Sequence, residues 1–331
     1  MVNNGPYILA RWVPNDVIQV RPNTNYWDAA SIKNDGIDFA AVSDEQTEER
    51  MFRSGRLHIT EDVPQSKAPE YRENNPDMLR IDPWIGCYFY RVNTKREPFG
   101  DPRVREALSL ALDREAICTK VMKTGPSPAY FLTPPGVGGY TPHVKVDYDP
   151  EAARKLLAEA GYPNGEGFPT IDILYNTKEQ HRVNAEAIQQ MWKQELGIDV
   201  TLTNQEWGVY LSSTSNERLD YDLARAGWIG DVVDGINFLE CFITGNGNNR
   251  TGWGNAEYDR LLAEAIQQSN LKQRHALYNQ AETILMDELP IIPIYHYTRA
   301  FLIQPNVRGY EPNILAYRAY HQLWLDESGA E

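Results

Sequence analysis

Between residues 198 and 231 two strand-like runs each end in a tryptophan, and an acid follows the second. The first is Ile198-Asp-Val-Thr-Leu-Thr-Asn-Gln-Glu-Trp207, the second Tyr221-Asp-Leu-Ala-Arg-Ala-Gly-Trp228, and the acid is Asp231. These residue types suit recognition better than reaction. Arg225 and Asp231 would meet the opposite charges of a zwitterionic ligand, with Trp207 and Trp228 as apolar walls. A peptide is such a ligand. Each residue also has a plainer reading. Arg225 would sit in an internal ion pair, Asp231 in an acidic loop, and the two tryptophans in ordinary core packing.

Reaction chemistry has little support. The six histidines are scattered and form no His-Glu-x-x-His pair, and the chain has no Gly-x-Ser-x-Gly elbow or phosphate-cradling loop. Gly245-Asn-Gly-Asn-Asn249 does not join a strand to a helix and reads as a loop. Asp44-Glu45 and Glu48-Glu49 read as a solvated face, and nothing singles out a general acid with a general base. No catalytic, metal or cofactor site is therefore expected. Cys87, Cys118 and Cys241 lack metal-ligand spacing and are expected to be mostly buried thiols. The net charge of −14 argues against nucleic acid, whose affinity rests on basic side chains neutralising phosphates. No apolar run approaches the ~20 residues that span a bilayer, and the first residues show no export signal.

These candidates need elements to hold them. Tyr7–Trp12 and Val17–Val20 read as two strands joined by a turn at Pro14-Asn15-Asp16, with another strand region over Ile32–Val42. Thr47–Ser54 reads as a short helix closed by Gly55, and Leu57-His58-Ile59 alternates like a strand. Residues 84–93 are aromatic and β-rich. Asp101-Pro102 and Asp149-Pro150 are cap-then-proline helix starts, the second helix ending at Gly161; Asp113 is a further start. Residues 124–148, rich in proline and glycine, read as an ordered loop. Thr170–Tyr175, Glu179–Leu196 and Ile198–Leu202 read as a βαβ unit with parallel strands. Tyr221–Trp228 is a further strand, helices run over about 255–268 and 271–288, and Pro290–Tyr297 closes the series. An α/β domain over 84–298 is thus expected inside a β-rich one built from 1–83 and 299–331.

Asp101-Pro-Arg-Val-Arg-Glu-Ala-Leu-Ser-Leu-Ala-Leu-Asp-Arg114, Ala152-Arg-Lys-Leu-Leu-Ala-Glu-Ala-Gly-Tyr162, Asn204-Gln-Glu-Trp207 and Ala224-Arg-Ala-Gly-Trp228 carry a resemblance. Together they resemble the oligopeptide-binding proteins of ABC importers, in the extracytoplasmic class that also serves dipeptides and nickel. The first two motifs mark the class broadly; the last two point to its oligopeptide branch. The likeness runs in order from about residue 3 to 325. It implies a periplasmic-binding-protein-like type II α/β fold, with 84–298 as the second lobe and the remainder as part of the first. Family members carry a further domain-sized stretch, roughly two hundred residues, before the position of Asn3. Without it the resemblance implies an incomplete first lobe with an unpaired sheet edge and an uncovered apolar face.

The resemblance also implies a function and a site. The function is capture of an extended peptide, held by strand-like hydrogen bonds, and its delivery to the transmembrane subunits of an ABC permease. The place is periplasmic or cell-surface, the permease being the sole link to the membrane. Asp231 matches the acid that meets the peptide amino group. Arg225 and Gly227 lie in the adjoining strand, and Trp228 and Trp207 match side-chain pocket walls. Asn176 and His181 match positions for peptide hydrogen bonding and carboxylate contact, against the plainer reading of His181 as a surface helix residue. Trp84, Phe89 and Tyr297 match cleft aromatics, Phe89 standing where tyrosine is frequent. An arginine that some relatives use for peptide carboxylates is missing after Trp207, and Thr214 lies near its place. The competing readings are a different solute, such as a nickel chelate, sugar or opine, and a remnant that captures nothing.

Overall fold

The computed structural model describes residues 3–326. The chain divides into two compact units, one formed by residues up to Pro83 and from Thr298 onward, the other by Trp84–Tyr297.

In the first unit, β1 (Tyr7–Val13), β2 (Val17–Pro22) and β3 (Ile37–Ala40) form an antiparallel sheet in that order. The β1–β2 turn places Asn15 at φ 60°, a left-handed conformation that asparagine tolerates. Only four residues of the Ile32–Val42 region join the sheet, the strand starting after Gly36, which takes φ 142°. α1 (Glu45–Arg53) starts where the Asp44 carboxylate accepts a hydrogen bond from the Thr47 amide. Glu45 and Glu48 in its first turn and Arg50 and Arg53 in its last complement the helix dipole. α2 (Ala68–Asn74) packs with it around Phe52, Val63, Tyr71 and Leu302. Leu57-His58-Ile59 is not a regular strand. It makes one bridge, Ile59 with Ile303, because three residues are too few to propagate a ladder.

The second unit is a six-stranded mixed sheet. Its elements are β4 (Leu79–Val92), which enters from the first unit, α3 (Pro102–Leu110), the single turn α4 (Arg114–Ala116), β5 (Ser127–Pro128) and α5 (Pro150–Glu159). Then come β6 (Ile171–Asn176), α6 (Glu179–Leu196), β7 (Val200–Gln205), α7 (Trp207–Ser213) and β8 (Leu223–Ile229). α8 (Ile236–Leu239), α9 (Ala256–Ile266), α10 (Leu271–Glu288) and β9 (Ile291–Leu302) complete the set. The strand order is β5-β9-β4-β8-β6-β7. β6 runs parallel to both β7 and β8, while β4 runs antiparallel to β8.

The local causes are readable. Asp101 and Asp149 each accept an amide hydrogen bond at the start of a helix whose first residue is proline. Gly197 closes α6 at φ 73°, and an added Cβ there would meet the Asn164 carbonyl oxygen at 2.5 Å. α6 carries Ala185, Ile188, Trp192 and Leu196 into a core shared with Val104, Leu108, Leu157, Ile171 and Ile173. The Trp192 indole donates to the Leu108 carbonyl at 2.8 Å, tying α6 to α3. The three cysteines are free and buried, and burial pushes the Cys118 and Cys241 thiols up to about 12.

Candidate functional site

Every candidate residue lies in the Trp84–Tyr297 unit, and β8 organises them. Its register with β4 pairs Arg225 with Tyr90, Gly227 with Tyr88, and Trp228 with Cys87. Residues opposite one another point to the same face, and neighbours along a strand point to opposite faces. Arg225 and Gly227 therefore share one face with Tyr88 and Tyr90. Trp228 shares the other with Phe89.

On the first face Arg225 is half-buried. Its Nη2 donates to the Tyr297 hydroxyl at 3.1 Å and its Nη1 to Asn176 Oδ1 at 3.4 Å, while the guanidinium stands 5.1 Å from the Tyr88 ring centre. Its Nε is buried with no partner. No carboxylate pairs with it among the described residues, so it is not in an internal ion pair, and it does not reach Asp231. Two glycines give Tyr297 its seat. An added Cβ on Gly227 would stand 2.5 Å from the Tyr297 hydroxyl, and one on Gly86 2.8 Å from the ring. The Trp84 ring lies 5.5 Å from that of Tyr297. Tyr88 stacks on Tyr295 at 4.6 Å, and the Tyr295 hydroxyl accepts from Asn184 and Gln180 of α6.

His181, in the first turn of α6, is buried and not a surface residue. Its Nδ1 lies 3.5 Å from the Tyr88 hydroxyl. Burial pushes its pKa down to about 2, and the charges of Arg225 and Lys178 act in the same direction. It is a neutral hydrogen-bonding group at physiological pH, not a cation.

On the second face Phe89 is buried edge-on against Phe242 at 5.9 Å. Trp228 is half-buried and donates from Nε1 to Asn237 Oδ1 at 3.4 Å. The same oxygen accepts from the Asp231 amide at 2.9 Å, so Asn237 of α8 fixes the chain where β8 ends. The Asp231 carboxylate is exposed, with no hydrogen-bond or ion-pair partner among the described residues. Trp207 opens α7 and is not core. It is 51% exposed and stacks on Tyr210 at 5.7 Å. α7 itself is not evident in the sequence, because its cap is Glu206, accepting from the Gly208 amide, and not the usual serine, threonine or aspartate. Tyr88, Tyr295, Asn184 and Asn237 also escaped the sequence reading, for they carry no motif and matter only through the residues they hold.

The result is a strand with an unmatched cation near one end and an unmatched anion past the other. An extended chain rises about 3.3 Å per residue, so the Cα atoms of Arg225 and Asp231 are at most roughly 20 Å apart. Among the described residues no group of three or more acidic, histidine or cysteine side chains is arranged to hold a metal ion, and no helix is long and apolar enough to cross a membrane.

Comparison with known proteins adds to this geometry. Residues 1–250 match the family described as bacterial extracellular solute-binding proteins, family 5 Middle. The periplasmic murein peptide-binding protein of Escherichia coli is 37% identical over 320 residues, which is 95% of this chain and 59% of that protein. Its solved structure superposes with a TM-score of 0.87 over 97% of this chain and 64% of the other, at 36% identity. The periplasmic oligopeptide-binding protein of Salmonella typhimurium is 36% identical over 322 residues, 94% of this chain and 58% of that protein. The oligopeptide-binding protein of Haemophilus influenzae, solved with the peptide RPPGFSPFR, superposes with a TM-score of 0.84 at 32% identity, over 97% of this chain and 64% of the other. The chain thus spans about three fifths of the length of the curated relatives it matches.

Proposed function

The chain belongs to the bacterial extracellular solute-binding proteins of family 5, and from that premise we propose that it captures peptides and presents them to an ABC permease outside the cytoplasm. The reading assigns it no reaction. Its fold is the one shared with the peptide-binding relatives, the type II fold of periplasmic binding proteins.

One observation carries the proposal, the pair of unmatched charges along β8. A half-buried guanidinium with no acid beside it is costly to keep, since neutral hydrogen bonds and a ring contact offset only part of its lost hydration. An anionic ligand group supplies the missing partner, through charge-assisted hydrogen bonds to a donor fork that Tyr297 and Asn176 already hold in place. Asp231, free at the other end, takes a cation. A peptide has both groups, joined by a backbone that pairs with strand-like donors and acceptors. Trp207 and Trp228 offer apolar contact that accepts varied side chains. His181, Trp84 and Phe89 hold the surrounding aromatic frame.

Calorimetric titration with trialanine tests the reading. The wild-type chain is expected to bind, Asp231→Ala to lose affinity for the free peptide but not for its N-acetylated form, and Arg225→Gln to lose discrimination against the C-terminal amide. The loss expected for each charge is about tenfold or more. Absence of binding by the folded wild-type chain to trialanine and to a mixed pool of short peptides would overturn the proposal.

A further inference from the structure

Two arginines shielded from water elsewhere in this unit are saturated. Arg114 donates to the carbonyls of Pro293 and Ser109 and to the Ser109 hydroxyl. Arg105 donates to the carbonyls of Glu288 and Phe99. Arg91 and Arg250 break this pattern. Arg91, in β4 opposite Ala224, lies on the same sheet face as Phe89 and Trp228. Its guanidinium has no hydrogen-bond or ion-pair partner among the described residues, and its Nε is fully screened from solvent. Arg250 has one weak side-chain contact, from Nη1 to the Thr214 hydroxyl at 3.4 Å.

Both cations converge on one place. Ala224, the residue opposite Arg91, packs with Tyr210 and Tyr221, and the charges of both guanidiniums act on those tyrosine hydroxyls. The Tyr221 hydroxyl donates to the Arg250 carbonyl, and Thr214 donates to the Tyr210 carbonyl at 2.9 Å, so the tyrosines and Thr214 hold the floor of the cluster. Tyr210 stacks on Trp207. The acid whose charge reaches Arg250 is Glu217, which accepts from Ser215 and forms no ion pair with the arginine. Glu240 and Asp231 act on the Cys241 thiol, as Arg91 does. No carboxylate lies within ion-pair distance of either guanidinium among the described residues. Two like charges brought together without a counter-ion, in a chain of net charge −14 with acids to spare, repel one another unless an anion from outside joins them.

We propose that Arg91 and Arg250 form an anion subsite on the Trp228 face of the sheet, and that the ligand is an acidic peptide whose side-chain carboxylate occupies it. This rests on the peptide reading above and narrows it. With Arg225 taking the terminal carboxylate and Asp231 the amino group, a neutral zwitterion leaves the second guanidinium pair unanswered. A peptide with one aspartate or glutamate side chain completes the charge balance. Trp207 lies against the methylene stem of that side chain.

Titration of the wild-type chain with Ala-Glu-Ala and Ala-Gln-Ala tests this. Ala-Glu-Ala is expected to bind about tenfold or more tightly than its isostere. Arg91→Gln and Arg250→Gln are each expected to abolish that preference while keeping Ala-Gln-Ala affinity, and Arg250→Lys to restore part of it. Equal affinity of the wild type for the two peptides overturns the subsite and leaves peptide capture standing. N-acetyl-glutamate α-amide, which has the side-chain carboxylate but neither terminal charge, separates the two claims. If it raises the unfolding temperature of the wild type and not of Arg250→Gln, and its glutamine analogue does not, the subsite holds even where tripeptides fail to bind. If neither the tripeptides nor this compound has an effect, the subsite is overturned along with peptide capture.

Discussion

His181, His296 and Glu282, inside the Trp84–Tyr297 unit, have proton affinities far from those of their types in water, and their signs oppose. Burial lowers His181 from 6.5 to about 2 and His296 from 6.5 to about 4. Burial raises Glu282 from 4.5 to about 7, against hydrogen bonds from Thr133 and Tyr140 that favour its charged form. The unfolded chain protonates its histidines below about pH 6.5, while the folded chain does not. Their contribution is therefore complete above that pH and is lost as the pH falls. Glu282 behaves in reverse. Between 4.5 and 7 the folded chain keeps a proton that the unfolded chain has released. Its contribution is full below 4.5 and is lost as the pH rises through 7. Glu282→Gln should therefore reduce the stability lost between pH 5 and pH 8 by about 2–3 kcal/mol, the histidine terms cancelling between variant and wild type. Urea melts at the two pH values measure it, and an unchanged difference would mean that Glu282 ionises normally in the fold.

Among the elements, helix starts were the most legible part of the chain. Asp101-Pro102 and Asp149-Pro150 announce α3 and α5 because a carboxylate cap and a proline satisfy local needs that tertiary structure does not alter. The βαβ unit was legible for a similar reason, its apolar periods switching cleanly from strand to helix and back. α7 was hidden by an atypical cap, and the turn through Ile117–Met122 by a π-helical geometry that no sequence period encodes. Of the candidate site, the residue types of β8 are legible in the sequence. Alternation already separates Arg225 and Gly227 from Trp228, yet what each face meets depends on α6, α7 and α8 arriving from elsewhere in the chain. Gly227 shows the same limit. In sequence it is one residue of a motif; in the fold it is the space that lets Tyr297 reach Arg225. Gly227→Ala should displace that ring, lowering stability by about 1–3 kcal/mol and weakening binding of peptides with a free C-terminus more than of their amides. A thermal melt and paired titrations check this, and a variant matching the wild type in both would show that the slot has room to spare.

For the molecule as a whole, the sheet β1–β2–β3 has an unbalanced exterior. Cross-strand register aligns Leu9, Val20 and Ile37, and next to them Trp12, Ile18 and Phe39, on one face. A bulge between Leu9 and Arg11 keeps the two rows together. Trp12 is 65% exposed and Leu9, Ile18 and Phe39 each 38–44%, whereas Gln19, Arg21 and Asp38 form a hydrogen-bonded polar set on the opposite face. A contiguous apolar face in water favours association. Trp12→Lys combined with Phe39→Lys should reduce dye binding to exposed apolar surface and concentration-dependent self-association, with little change in unfolding temperature. Sedimentation at two concentrations decides, and unchanged association in the double variant would place the sticky surface elsewhere.

The central claim is that opposite charges strung along β8 receive the two ends of a peptide. The most direct test is calorimetric titration of this chain with a zwitterionic tripeptide and with the same tripeptide acetylated and amidated. The account predicts measurable binding of the free peptide and a loss of about a hundredfold or more when both ends are blocked. Equal affinity for both would mean that Arg225 and Asp231 do not read the termini, and absence of binding by either would contradict peptide capture by this chain.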